Sequence, residues 1–159
     1  MTTLLRDQSP LHQGNIALVG GYTYDDVIEQ INRRIFFWPG TAEGPISYGV
    51  RHFERYREEN PVILRMNIRS LLGSNPEVQP KFCRYNSGSP RCSNGAKSPR
   101  GPETFVPAGK FAETPGKVVE VTFEESIVLP ADTTIGNHPN GPWRPLLDFE
   151  LTNSPLSPG

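Results

Sequence analysis

The decapeptide Gln30-Ile-Asn-Arg-Arg-Ile-Phe-Phe-Trp-Pro39 constrains the fold more than any other stretch of the chain. Its first residues continue a helical pattern, its middle is strand material, and Pro39-Gly40 stops it. Two readings of it stand side by side. Ile35, Phe36 and Phe37 can fill a core, with the arginines at the surface. Alternatively, the aromatic faces and the guanidinium groups of Arg33 and Arg34 hold a nucleotide-like ligand.

The chain around this segment has 159 residues, enough for a single domain with a hydrophobic core. Its net charge of −1 gives no global field to attract nucleic acid or an anionic membrane. No apolar run approaches the length of a spanning helix, and the first residues carry no long apolar leader, so the expectation is a cytoplasmic protein without a membrane. Cys83 and Cys92 then read as reduced thiols. Prolines (17) and glycines (15) make up about 20% of the chain, below the level typical of disorder, which points to long, stiff loops.

Thr23-Tyr-Asp-Asp26 has the spacing of a capping box and predicts a helix with Val27, Ile28 and Ile31 on one face, ending near Arg33. A strand over 35–38 follows. A second helix is predicted from Pro45 to Glu59, and alternation predicts a strand over 62–68. Residues 74–117 read as loop. No acidic residue lies between Glu77 and Glu103, whereas Lys81, Arg84, Arg91, Lys97 and Arg100 do. This is either a solvated loop or a basic rim for phosphate. Lys117–Phe123 is the clearest strand, with Val119, Val121 and Phe123 on one face and Val118, Glu120 and Thr122 on the other. The proline-rich residues 130–159 read as an extension of a core over about residues 5–129, with an edge strand at 146–151.

Glu120 is the leading catalytic candidate, because a carboxylate flanked by valines is desolvated wherever its face is covered. The histidines are scattered, and no phosphate-loop, dinucleotide or metal-ligand motif is present.

Taken in order, Arg6-Asp7-Gln8-x-Pro10, Ile31-Asn32-x-Arg34-Ile-Phe-Phe-Trp38, Asn86-Ser87-Gly88, Arg100-Gly101-x-x-Thr104-Phe105 and Val118-Val119-Glu120-Val121 resemble an uncharacterised bacterial domain family. That family is distantly similar to the DarT-like ADP-ribosyltransferases. The resemblance implies an α+β fold with a small, twisted, mainly antiparallel split sheet, two to three helices and long loops, the strands at 35–38, 62–68 and 118–123 forming its centre. It implies NAD as substrate, and transfer of ADP-ribose to a nucleobase or a protein side chain. Glu120 would be the catalytic carboxylate. Arg6, Arg34 and Arg100 would contact phosphate, Phe37 or Trp38 would form the aromatic wall, and Asn32, Asn86 and Ser87 would be polar ligand contacts. By analogy, a toxin or anti-phage role follows. The competing expectation is a non-enzymatic module that binds a nucleotide or protein.

Overall fold

The structure, a computed structural model, describes residues 11–147. In chain order its strands and helices are β1 (Ile16–Leu18), α1 (Tyr24–Asn32), β2 (Arg34–Phe37), β3 (Gly40–Thr41), β4 (Gly44–Pro45), α2 (Ser47–Tyr56), β5 (Ile63–Arg65), α3 (Ile68–Ser74), β6 (Lys81–Cys83), β7 (Ser98–Arg100), β8 (Val106–Pro107), β9 (Glu120–Glu124), β10 (Thr134–Gly136) and β11 (Arg144–Pro145). This is an α+β fold of three helices and small, mostly antiparallel sheets joined by loops. No helix among the described residues is long and apolar enough to cross a membrane.

The chain divides into two compact units, each made of two segments. The first takes the described residues up to Phe37 together with Pro80–Glu125; the second takes Trp38–Gln79 and the described residues from Ser126 onward. Arg6 lies outside the described residues, as do residues 148–151 of the edge strand expected at 146–151; its two described residues, Leu146 and Leu147, are helical and not extended.

In the first unit, a four-stranded antiparallel sheet runs in the order β2-β9-β6-β8. Pairing sets Arg34 opposite Glu124, Phe36 opposite Thr122, Lys81 opposite Thr122 and Cys83 opposite Glu120. Because side chains alternate along strands, one face carries Arg34, Phe36, Lys81, Cys83, Glu120, Thr122 and Glu124. The core beside Cys83 and Phe36 is built from Val27 and Ile31 of α1, with Leu11, Ile16 and Phe105. The predicted capping box starts α1: the Thr23 hydroxyl accepts from the Asp26 amide, and the Asp26 carboxylate accepts from the Thr23 amide. A separate parallel pair, β1 with β7, holds the end of the 84–100 loop.

In the second unit, β5, β10 and β11 form an antiparallel sheet in the order β11-β10-β5. The strand expected over 62–68 is therefore shorter than predicted and belongs to a different sheet from β2 and β9. Asn67 cuts it short. Its side chain accepts from the Arg69 amide and caps α3, so the second half of the alternating run becomes helix. The proline-rich stretch after Ser126 contributes two of the three strands.

Candidate functional site

Glu120 opens β9 and is 3% exposed. Its Oε1 accepts the backbone amide of Ser87 at 3.1 Å. Its Oε2 and the Ser87 hydroxyl oxygen are both buried without a hydrogen-bond partner among the described residues. Burial pushes the Glu120 carboxyl up to about 7, and the bond from the Ser87 amide and the charge of Arg100 oppose that rise. The Cys83 thiol across the ladder is pushed up to about 12, by burial first and by the neighbouring carboxylate second. Cys83 and Cys92 are not bridged.

Arg100 is fully buried, and its donors are spent inside the protein. Nε reaches the Ser87 carbonyl at 3.1 Å; Nη2 reaches the carbonyls of Asn86 and Ser87, each at 3.0 Å. Nη1 takes the Ser98 hydroxyl at 2.7 Å and the Pro99 carbonyl at 2.8 Å. These bonds match the five N–H groups of a guanidinium and leave none for a phosphate. The plane also lies 4.4 Å over the Tyr85 ring. Arg100 thus fastens the 84–100 loop, and through Ser87 it sets the amide that meets Glu120. The rest of the expected basic rim is partly turned inward. Lys81 pairs with Glu124 at 2.6 Å and Arg84 with Glu113 at 3.1 Å, while Arg91 and Lys97 are exposed.

Arg34 sits in a different setting. Its side chain is 5% exposed, yet only one nitrogen is engaged: Nη2 contacts Glu124 at 2.8 Å. Nε and Nη1 are buried and have no partner among the described residues. The guanidinium lies 4.3 Å over the Phe105 ring. Arg34 lines a cleft of about 630 Å³ with Gly20, Gly21, Gln30, Lys81, Phe105 and Glu124. The volume falls within the roughly 300–1,000 Å³ of small-molecule sites. Gln30 Oε1 is a second buried atom without a partner. Lys81 and Arg34 share Oε1 of Glu124, so this cluster keeps one positive charge in excess, and the two cations hold the Glu124 carboxyl below its ordinary range. Arg33, Asp26 and Glu29 complete the charged lining. Three cations then face three carboxylates, so attraction for an anion comes from the unmet donors of Arg34 and not from a broad field.

The floor of the cleft requires glycine at Gly20, whose φ is +63° and where a Cβ would fall 2.7 Å from Cδ of Pro102.

The residues expected to act together are divided. Glu120, Ser87, Asn86 and Arg100 form one buried cluster; Arg34 lines the cleft, and the cleft lining does not include Glu120. The two carboxylates of β9 nevertheless share a face, about 13 Å apart at roughly 3.3 Å per residue. Phe37 projects from the opposite face and packs edge-on against Phe123, with ring centroids 5.8 Å apart. The aromatic residues lining the cleft are Tyr22 and Phe105. Trp38 opens the second unit and stacks on Tyr48 there. Asn32 is exposed at the end of α1. Sequence reasoning passed over Glu124, Gln30, Phe105 and the Gly20-Gly21 floor as site residues. Glu124 had a visible signal in its two-residue steps from Glu120 and Thr122 along one strand face, and Phe105 in its place at the end of the Arg100-Gly101-x-x-Thr104-Phe105 motif.

A family model described as a family of unknown function (DUF7002) matches residues 1–134, and the chain belongs to that family. No curated protein matches the chain. No solved structure matches it either.

Proposed function

We propose that this member of the DUF7002 family binds a phosphate-bearing nucleotide of the NAD type in the Arg34 cleft and serves ADP-ribose transfer to a nucleobase or protein acceptor. The observation that carries the binding is the Arg34 guanidinium, buried, stacked on Phe105 and left with two unmet nitrogens, in a residue that lines a nucleotide-sized space. A buried donor without an acceptor is costly, and an oxyanion supplies the acceptor. Gly21 lines the cleft with nothing within 4 Å of where a Cβ would stand, which leaves room for a ligand close to the backbone. The likeness of the ordered motifs to DarT-like enzymes supports NAD in particular.

Within this reading the bond to nicotinamide is the one broken, and the protein must supply a carboxylate to balance positive charge at the ribose. Glu120 is assigned that role from its strand motif and its desolvated position. Glu124, kept ionised by Lys81 and Arg34, already lines the cleft and steadies the cationic cluster there.

The second reading is a binding module without catalysis. One observation favours it: Glu120 is shut into the Ser87–Arg100 cluster, apart from the cleft lining. Nicotinamide release from NAD, in the presence of mixed nucleic-acid and protein acceptors, separates the two. The enzymatic reading expects turnover that Glu120→Gln abolishes while the variant still binds ADP-ribose. Binding without turnover in the wild-type chain leaves the module.

A further inference from the structure

The second unit carries a surface that the cleft reading does not use. On α2, Tyr48, His52 and Tyr56 recur at every fourth position and form one rail of rings. His52 and Tyr56 meet edge-on with centroids 4.8 Å apart. Trp38 extends the rail, lying nearly parallel to Tyr48 at 6.4 Å with 15° between planes, and tilted against His52 at 5.7 Å. Trp38 reaches the helix because position 49 is glycine; a Cβ there would stand 3.0 Å from its side chain. Arg51 and Arg55 form a parallel rail one step round the same helix. The Arg51 guanidinium caps the Tyr48 ring at 4.6 Å.

The face borders the packing side of the helix and is partly covered: Gly49 and Phe53 are buried, Trp38 and Tyr56 are half-buried, Tyr48 is 37% exposed, and Arg51, His52 and Arg55 are exposed. The nearest acid on the helix, Glu54, stands three positions after Arg51 beside the arginine rail and pairs with Arg57 at 3.4 Å. A stripe of flat π surfaces beside a line of cations, with no carboxylate in either rail, is complementary to a polymer that alternates bases with phosphates. A duplex hides its base faces, and an acidic peptide has no rings to stack.

We propose that the Trp38–α2 face binds single-stranded nucleic acid, bases against the aromatic rail and phosphates along Arg51 and Arg55. This inference stands independently of the Arg34 cleft. It is tested by fluorescence anisotropy on the full chain with labelled oligothymidylate and oligouridylate of about 12 nucleotides, a matched duplex, and an acidic peptide. Both or either single strand should bind, more tightly than duplex or peptide; a preference between them reports the sugar and the thymine methyl together. Tyr48→Ala should weaken binding about tenfold or more, and Tyr48→Phe, which keeps the ring, should not. The Arg51→Gln/Arg55→Gln double variant should flatten the logarithmic salt dependence by about 1.4, at roughly 0.7 for each phosphate that is no longer neutralised. Circular dichroism confirms that each variant is folded. No binding by either single strand, equal binding of duplex or peptide, or folded variants that bind unchanged would overturn it.

Discussion

The backbone amide of Ser87 donates to Oε1 of Glu120 at 3.1 Å, in a place where the second carboxylate oxygen has no hydrogen-bond partner among the described residues. The pair is half of a solution. One hydrogen bond orients the carboxyl, and the missing ones keep its proton affinity high. Arg100 anchors the arrangement by gripping the carbonyl of the same serine.

Glu120 should make stability fall with rising pH. Its carboxyl is raised in the folded state to about 7, from an ordinary 4.5. The folded protein therefore holds a proton that the unfolded chain has released between these values, and stability declines across that window. The penalty is absent below it, complete above it, and on the order of 3 kcal/mol. Glu120→Gln keeps an acceptor for Ser87 and removes the titration. Its melting temperature should exceed wild type at about pH 8 and match it at about pH 4. Parallel pH profiles for the two proteins would be inconsistent with this assignment.

Arg100→Lys should be severely destabilising despite keeping the charge. A lysine ammonium has three donors and no planar fork, so it leaves buried carbonyls at Asn86, Ser87 or Pro99 unmet. Breaking such a buried network costs about 3–5 kcal/mol, readable as a lower urea midpoint. A mere phosphate-binding role at this position would leave the midpoint unchanged.

Much of the local architecture was legible because it is written in neighbouring residues. The Thr23–Asp26 box, the helix stripe of Val27 and Ile31 and the alternation through Glu120 and Thr122 all follow from spacing alone. The strand predicted over 62–68 failed where a local competitor intervened, the Asn67 cap. The candidate site was less legible, because its logic is non-local. Arg34 finds Phe105 and Glu124 across gaps of 71 and 90 positions, and Arg100 spends its donors on carbonyls that only the folded loop brings near. Arg34 and Arg100 are equivalent as residue types and opposite in circumstance: one has nitrogens left over, the other has none. Phe37 was misassigned to the wall for a simpler reason, since alternation along β2 puts it on the other face from Arg34.

Gly20→Ala should both loosen the fold and narrow the cleft. The added methyl would sit at a left-handed φ and 2.7 Å from Pro102. The backbone strain alone costs about 1–3 kcal/mol. Chemical denaturation should report that loss, and any nucleotide affinity should drop with it. The matching change at Gly14, where nothing lies within 4 Å, should be mild by comparison.

Thr23→Ala removes one half of the capping box and should cost about 1 kcal/mol. The loss should appear as faster hydrogen exchange in the first turn of α1, with the amide of Asp26 most affected.

Calorimetric titration of the full chain with ADP-ribose, beside its Arg34→Gln variant, tests the central claim most directly. The account predicts saturable binding to the wild-type chain that is lost in the folded variant. Absence of binding of ADP-ribose to the wild-type chain, or equal affinity in both proteins, would contradict it.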